Sequence, residues 1–477
     1  AEHVEWQMAQ VKRYPPLTCP HHGVVMLGRL CLFEARALSQ RRDFRTCAEH
    51  VEWQKRVVAS SMRLPSAAQV TDLAAVPFLA EVDPLSSRYV VRAVPLSESV
   101  QHTPSASLVD VTWPISTDHV VEQSIRTLSG WGTFRLGKFY EALDALTADV
   151  AYRHTDGLNR GLALVTASHA HSITIARTPP GKDVRIRCYI TSAGSASVEV
   201  RTDALTVGGE GEKLVNVCYT TMVAVDKATG KVAKGAVPRL ERDVGGDEDA
   251  EKERVALANL LKEIRTTRSR ESIKFRTPLS RPPSQAEMEA IHALHRAYTV
   301  ASEQPVGQKR LPDTVSQHTH FNSFVVFPEQ RNVQGTLFGG ELMAQGYELA
   351  YFAAHYFMRG APFVPIGLDE AAFIQPVAIG DLVTFRARVV HAEASTFRVF
   401  VTVEVVDRMD TAKRTTRANH LRFVFVAHPD SDLSVLPETY PEILMHVNAQ
   451  RIHAVECPTE DLLQECHAYL RSRVRGR

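Results

Sequence analysis

The stretch NVQGTLFGGELMAQGYELAYFAAHYF, residues 332–357, decides the fold of this chain. A polar turn runs into two glycines and then into a helix-length segment in which Glu341 and Glu348 are the only acidic residues, with no lysine or arginine. A surface helix has one apolar and one polar face, whereas a helix that is apolar nearly all round must be surrounded by other elements. The stretch therefore predicts a central helix around which a strongly curved sheet is wrapped.

Length and composition are those of a globular protein with more than one domain. The chain has 477 residues, 44% of them hydrophobic and 23% charged, with a net charge of +1. These values predict roughly two to four domains and argue against nucleic acid as a partner. No apolar run reaches the roughly 18 residues of a membrane-spanning helix. The 7 cysteines are scattered without C-x-x-C pairs, which favours a reducing compartment over a disulfide framework or a zinc site.

The N-terminal segment is set aside from the fold. The heptapeptide AEHVEWQ occurs at residues 1–7 and again at 48–54, and residues 26–45 (MLGRLCLFEARALSQRRDFR) are rich in arginine and poor in acids. Such a composition is typical of a mitochondrial transit peptide; the alternative is a surface helix after a leader. We predict a leader over 1–60, an N-terminal extension over 61–106 and a location in the mitochondrial matrix.

The rest of the chain contains a repeat. Residues 107–238 and 316–430 each read as an apolar helix, a connecting loop, a short strand, a turn and three long strands. Between them, residues 239–315 are charged and helix-forming, with a capping box at Ser284 and Glu287; residues 431–477 form an amphipathic tail. The pattern predicts an α+β protein of two hotdog domains, each a curved antiparallel sheet wrapped around a central helix, with the two sheets side by side and a charged helical bridge between them.

Two motifs of the second copy resemble a known family. NVQGTLFGGELM and the downstream pattern D-x-x-x-F-x-x-P-V-x-x-G-D, residues 369–381, resemble an acyl-CoA thioesterase hotdog domain. The two copies with their charged bridge are similar to the mitochondrial double-hotdog acyl-CoA thioesterases over residues 107–453. The resemblance implies hydrolysis of acyl-CoA to a fatty acid and CoA, and a homo-oligomer built as a trimer of double-hotdog chains.

The resemblance also implies a catalytic site. Double-hotdog thioesterases combine an Asp from the helix of one repeat with an Asn from the glycine turn of the other. When Gly137 is aligned with Gly340, Asp144 falls on Tyr347 and Ser129 falls on Asn332. We therefore expect one intact composite site, with Asp144 as base or nucleophile and Asn332 orienting water or the thioester carbonyl. The pseudo-symmetric site, with Ser129 and Tyr347, is expected to be inactive.

Glycines at the starts of both helices are the second part of the predicted site. Helix N-termini offer unpaired N–H groups, and a residue without a side chain lets a substrate approach them. The substrate-binding candidates are Gly137, Gly335, Gly339 and Gly340. The alternatives remain open: Asn332 as a turn residue, and the glycines as points of tight packing between helix and sheet. Gly346, inside the second helix, is interpreted as space for a strand or an acyl chain.

Other residues give weaker signals. Asp369 and Asp381 are interpreted as strand-start and turn residues, and the strand arginines Arg185, Arg187, Arg386 and Arg388, with Arg414 and Arg417, are candidates for the CoA phosphates. The sequence lacks a P-loop, a dinucleotide fingerprint and zinc-ligand spacing, so we predict no cofactor. Two rival functions are an inactive hotdog scaffold that binds protein partners and a dehydratase. The latter is disfavoured because no histidine occupies the matching helix positions.

Overall fold

The computed structural model describes a large part of the chain after residue 101. The described residues are 102–125, 131, 135–157, 159–177, 181–208, 211–243, 248–249, 251–253, 255–257, 259, 282–302, 313–332, 334–406, 415–431, 433–455 and 458–475. The helices are α1 (Pro104–Ser107), α2 (His119–Ile125), α3 (Leu136–Thr155), α4 (Gln285–Ser302), α5 (Gly339–Phe357), α6 (Tyr440–Val455) and α7 (Glu460–Arg475). The strands are β1 (Val109–Trp113), β2 (Leu162–Thr174), β3 (Asp183–Ala193), β4 (Ser197–Val207), β5 (Lys213–Asp226), β6 (Asp313–Thr314), β7 (Thr319–Val325), β8 (Phe363–Phe373), β9 (Leu382–Glu393), β10 (Thr396–Val406), β11 (Thr415–Ala427) and β12 (Val435–Leu436).

Ten of the strands form one sheet in the order β1-β3-β4-β5-β2-β8-β11-β10-β9-β7. The strands of the first copy lie on one side of the β2–β8 junction and those of the second copy on the other. At the junction the strands are antiparallel, with Ala170 opposite Glu370. The two hotdog units and the continuous sheet predicted from the repeat are confirmed. The leader and most of the extension, residues 1–101, lie outside the described residues.

The strand after each central helix was expected to be short, and this expectation is wrong. Strand β2 has 13 residues and β8 has 11. Each strand pairs on both sides: β2 with β5 and β8, and β8 with β11 and β2. Two hydrogen-bonding neighbours support a long strand, and the junction between the units supplies the second neighbour.

The two central helices contact each other and the concave face of the sheet. Helix α3 is buried on nearly all sides, with Phe139, Leu143 and Val150 fully inaccessible. Helix α5 is buried on three sides, but Phe352 and Tyr356 are 54% and 57% exposed. The prediction that the second helix is surrounded is therefore wrong for this one stripe. Among the described residues, the ring of His320 packs edge to face against both side chains and leaves more than half of each exposed.

Gly346 lets the sheet approach α5 closely. A Cβ atom at this position would lie 2.1 Å from Cδ1 of Leu421 on β11, well inside van der Waals contact. The space that glycine leaves is filled by a strand side chain, as one of the two interpretations of the sequence proposed. Leu421 is itself 1% exposed, so this contact lies in the core of the second unit.

The tail forms helices that lie on the sheet, and the bridge forms helix α4, which contacts the tail helix α6 through the ion pair of Glu287 with Arg451. Ser284 and Glu287 form the predicted capping box at the start of α4: the Ser284 N–H donates to the Glu287 carboxylate at 2.7 Å, and the Glu287 N–H donates to Ser284 Oγ at 3.3 Å. Leu462, Cys466 and Leu470 of α7 are spaced four residues apart and pack on β8 and β11. The domain boundaries themselves stay predictions.

A buried polar cluster lies between α6 and the outer face of the second unit. Arg398 of β10 donates to the Asp369 carboxylate at 3.2 Å and also contacts the His453 ring. Asp369 lies in the interior of β8 and forms a buried ion pair, so its interpretation as a strand-start residue is wrong. The rings of His391 and His446 are 5.2 Å apart, and His446 Nδ1 lies 2.9 Å from the Val390 carbonyl.

This cluster makes the stability of the protein depend on pH. Burial lowers the pKa of His446 from 6.5 to about 4, so the folded protein keeps this ring neutral over a range in which the unfolded chain takes up a proton. The free energy of unfolding should therefore fall as the pH drops from 6.5 to 4, by about 3 kcal/mol from this ring alone. The measurement is chemical denaturation at several pH values.

The variant His446→Asn keeps a donor for the Val390 carbonyl and removes the titrating ring, so its loss of stability between pH 7 and 4 should be smaller than that of the wild type. His119→Asn is the control because the side chain of His119 is 73% exposed. Equal slopes for the wild type and His446→Asn would contradict the assignment.

Candidate active site

The two helices meet where the first turn of α5 reaches the side of α3. The Gly340 N–H donates to Oδ2 of Asp144 at 2.8 Å. Asp144 is only 4% exposed, and a carboxylate inside an apolar helix is costly to bury unless donors satisfy it. The helix N-terminus offers such a donor and the positive end of the helix dipole. The sequence-predicted Asp144 and Gly340 are thus brought together across the two units.

The other carboxylate oxygen of Asp144 faces β2. Thr166 donates from Oγ1 to Oδ1 at 2.8 Å, and His169 Nε2 lies 3.1 Å from the same oxygen. On the far side of the ring, His169 Nδ1 lies 2.8 Å from Oγ1 of Thr220 on β5. Thr166 and His169 could not be paired from the sequence because residues three apart in a regular strand point to opposite faces.

A β-bulge puts Thr166 and His169 on the same face. Thr166 is opposite Met222 and Ser168 is opposite Thr221, so the segment from 166 to 168 has one more residue than its partner on β5. A bulge of this kind re-aims the side chains that follow it. The signal in the sequence was limited to two histidines, His169 and His171, in a strand of apolar and hydroxyl residues.

Asn332 stabilises the loop that leads into α5. Its Oδ1 accepts the N–H groups of Gln334 (2.9 Å) and Thr336 (3.1 Å), and its Nδ2 donates to Thr336 Oγ1 at 2.9 Å. Gly335 in the same loop has a φ of +80°, which favours glycine. The Gln334 side chain donates to the Leu164 carbonyl at 2.9 Å. The Asn332 loop therefore lies against the strand that carries Thr166 and His169.

Three of the four predicted glycines, Gly137, Gly339 and Gly340, lie at the crossing of the two helices. A Cβ at Gly339 would lie 2.8 Å from Asp144 Oδ2, and a Cβ at Gly340 would lie 2.8 Å from the Glu141 carbonyl oxygen. Gly137 is less confined: its Cβ would meet Tyr347 Cδ1 at 3.2 Å. Tight packing is thus present, but at Gly340 it is helix against helix and not the helix–sheet packing that the alternative predicted.

The contacts of the two helices are related by the repeat. Gly340 contacts Asp144. The repeat relates Gly340 to Gly137 and Tyr347 to Asp144, each pair 203 residues apart. Gly137 correspondingly lies beside Tyr347. Burial raises the pKa of the Tyr347 hydroxyl well above its ordinary value, so this position holds a neutral phenol where the other holds a carboxylate. Ser129 lies outside the described residues. In the described residues, the pseudo-symmetric site has a phenol and not a carboxylate at the position that corresponds to Asp144.

The remaining candidates lie in structural contacts. Arg185 and Arg187 of β3 both pair with Asp110 and Glu212, and Arg386 pairs with Glu404 at 3.4 Å. Arg414 and the side chain of Arg417 lie outside the description. Asp381 accepts the Ala378 N–H at 3.0 Å as the predicted turn residue.

Neither a metal centre nor a membrane-spanning helix is found in the described part of the chain. Across these residues, no three His, Cys, Asp or Glu side chains are grouped so that they could hold a metal ion. The helices there are all too short or too polar to cross a membrane.

One sheet wrapped around two helices that cross at glycines defines a double-hotdog protein. Residues 334–412 match the model of the thioesterase superfamily. A thioester hydrolase from Bacillus subtilis, the uncharacterized acyl-CoA thioester hydrolase YkhA, is 31% identical over 127 residues, which are 26% of this chain and 73% of that protein. The chain belongs to the acyl-CoA thioesterase family.

Two longer relatives match about 70% of this chain. Mitochondrial acyl-coenzyme A thioesterase 9 of Homo sapiens is 26% identical over 353 residues, which are 72% of this chain and 76% of that protein. Mitochondrial acyl-coenzyme A thioesterase 4 of Humulus lupulus is 26% identical over 345 residues, 70% of this chain. The alignment spans 63% of the Humulus protein, which is less than two thirds of its length.

The helix crossing can be tested by adding one methyl group at each of its two related glycines. Gly340→Ala should lower the free energy of unfolding by about 1–3 kcal/mol, because the Cβ meets a backbone carbonyl that cannot rotate away. Gly137→Ala is the matched control and should cost less than about 1 kcal/mol, because the ring of Tyr347 can shift. Denaturant unfolding of both variants measures the difference; equal losses would mean that the two crossing contacts are equivalent.

Proposed function

We propose that this protein hydrolyses acyl-CoA thioesters to a fatty acid and CoA at a composite site formed by Asp144 and Asn332. The observation that carries the proposal is the Asp144 carboxylate, buried between the units and held against the N–H of Gly340 at the start of α5. The family membership of the chain and the names of its relatives support the substrate class.

The chemistry needs a nucleophile and a place for negative charge on the thioester oxygen. The start of α5 supplies N–H groups and the positive end of a helix dipole for that charge. Acting as a base, Asp144 takes a proton from water while the water oxygen attacks the carbonyl carbon; the C–S bond then breaks and the thiolate of CoA takes up that proton. Acting as a nucleophile, Asp144 attacks the carbonyl carbon, the C–S bond breaks and the thiolate of CoA leaves with a mixed anhydride remaining on the enzyme. Water then hydrolyses the anhydride to the fatty acid and the free Asp144 carboxylate, and the thiolate takes up the proton that this step releases. Either route needs no cofactor.

Asn332 has capacity for a second role besides closing its loop. Its amide nitrogen carries two N–H groups, and one of them is engaged by Thr336 within the described residues. The other orients the attacking water or the thioester carbonyl. Of the four glycines proposed for substrate binding, Gly335 has open space beside it, because a Cβ there would meet nothing within 4 Å, so the substrate can reach its backbone. Gly137, Gly339 and Gly340 contribute by letting the two helices cross closely.

Location and assembly belong to the same proposal. The mitochondrial names of the human and Humulus relatives, together with the arginine-rich segment 26–45, support import into the mitochondrial matrix. Phe321 on the edge strand β7 is 58% exposed, an exposed fraction similar to those of Phe352 and Tyr356 on α5. Exposed apolar surface of this kind marks contacts between proteins and supports a homo-oligomer, proposed as a trimer of double-hotdog chains.

One observation favours a second candidate, an inactive scaffold. Both oxygens of Asp144 accept protein donors, so the residue would also serve a purely structural role in fixing α5 against α3. A hotdog scaffold that binds protein partners would retain this contact without turnover.

Hydrolysis of acyl-CoA with acyl chains from short to long, followed by release of the free thiol, decides between the two. We expect the wild type to be active and Asp144→Asn to lose roughly 100-fold to 10,000-fold in rate, as expected for loss of an acid–base group. Asn332→Ala should lose roughly 100-fold or more, as for removal of an oriented donor.

Asp149→Asn is the matched control, because Asp149 is a buried carboxylate on the same helix that pairs with Arg153 at 2.9 Å. Its activity should stay close to that of the wild type. If the wild type releases thiol from none of the substrates, the scaffold is the better interpretation. If Asp144→Asn stays active, catalysis lies elsewhere.

A further inference from the structure

We propose that His169 positions Asp144 and thereby selects Oδ2 as the oxygen that reacts; the proposal rests on the proposed function. His169 lies on β2, behind Asp144 as seen from α5, and is completely buried. It acts through the carboxylate, so it is a positioning residue.

The ring of His169 is fixed at both ends. Nε2 lies 3.1 Å from Asp144 Oδ1, and Nδ1 lies 2.8 Å from Thr220 Oγ1. Thr220 is also fully buried. The ring of Phe373 approaches that of His169 edge to face, with centroids 5.8 Å apart. A ring held by two polar partners and one aromatic neighbour keeps a single orientation toward the carboxylate.

The partners fix which ring nitrogen carries the proton. An ionised carboxylate only accepts hydrogen bonds, so Nε2 must carry a hydrogen to bond Oδ1. In the neutral ring Nδ1 is then an acceptor, and the hydroxyl of Thr220 can donate to it. One tautomer satisfies all three residues, and the resulting chain of hydrogen bonds runs from β5 through β2 to α3.

Counting acceptor sites separates the two oxygens of Asp144. A carboxylate oxygen accepts about two hydrogen bonds. Oδ1 receives Thr166 and His169, so its capacity is filled, whereas Oδ2 receives the Gly340 N–H alone among the described residues. Oδ2 therefore keeps an acceptor site, at the start of α5 where the N–H groups for the developing charge also lie. Without the donor from His169, Oδ1 would compete for the same water.

Two variants of His169 distinguish a role in positioning Asp144 from a role in packing. Each variant keeps one of the two hydrogen bonds of the ring, either the bond to Asp144 or the bond to Thr220. Gln places its amide nitrogen near the position of Nε2, and Asn places its amide near the position of Nδ1. His169→Gln keeps the donor to Asp144 and should retain a kcat within about threefold of the wild type. His169→Asn keeps the contact with Thr220 and should lower kcat roughly 10-fold to 100-fold, the effect of losing a hydrogen bond to a charged group.

The pH profile gives a readout that packing alone would not move. Loss of a donor to the ionised carboxylate disfavours the charged form, so the acid limb of kcat/KM should shift to higher pH in His169→Asn and stay in place in His169→Gln. The neighbouring hydroxyls of Thr166 and Thr220 do not titrate in this range, and the pair Lys138–Glu141 (2.7 Å) on α3 is unchanged in every variant. KM should stay within about twofold, since the carboxylate and not the substrate is affected.

The outcomes distinguish this proposal from the proposed function. A wild type inert toward every acyl-CoA would overturn both. Suppose instead that the wild type is active and Asp144→Asn is not. If His169→Asn and His169→Gln then behave alike, the positioning role alone is overturned. Nitrogen-15 NMR of labelled histidine tests the bond without turnover: the His169 signals, assigned by their loss in His169→Gln, should show a hydrogen on Nε2 and should shift in Asp144→Asn. A hydrogen on Nδ1 only would contradict the proposal.

Discussion

The crossing of the two central helices is the contact on which the rest of the structure depends. It requires glycine at the start of α5, because a side chain at Gly340 would meet the backbone of α3. The close approach then brings an N–H of one unit to the Asp144 carboxylate of the other. Burying that carboxylate without a donor would be costly, so the contact stabilises the interface and creates the site together. Sheet continuity through β2 and β8 keeps the two helices at this distance.

Much of this arrangement was predictable because it follows from patterns that are regular along the chain. A helix apolar on most faces must be wrapped, and a repeated order of elements predicts repeated folds. The alignment of Gly137 with Gly340 placed Asp144 opposite Tyr347, and the structure has Gly340 against Asp144 and Gly137 against Tyr347. These positions are fixed by helical spacing, which carries no irregularity between residues 137 and 144.

The parts that the sequence did not predict involve irregular backbone or surroundings that no local pattern encodes. The bulge after Thr166 reverses the alternation of β2, so His169 turns toward Asp144 although strict alternation would turn it away. The ion pair of Asp369 with Arg398 joins two strands that are distant in sequence. The exposed stripe of α5 was missed for a different reason: composition shows that Phe352 and Tyr356 are apolar but not whether this chain covers them.

The repeat diverged unevenly, and the divergence has a physical logic. A phenol at Tyr347 fills its side of the crossing with an aromatic ring that packs against Tyr140 and Phe423, and it needs no set of donors to neutralise a buried charge. A carboxylate at Asp144 needs several, and they come from both units: Gly340 from the second, Thr166 and His169 from the first. Keeping one such site costs less stability than keeping two, because every buried carboxylate must be solvated by protein groups. The pseudo-symmetric site can therefore lose its carboxylate to an apolar, well-packed side chain while the fold is kept. Asp144, in contrast, is retained only as long as its full set of donors is retained with it.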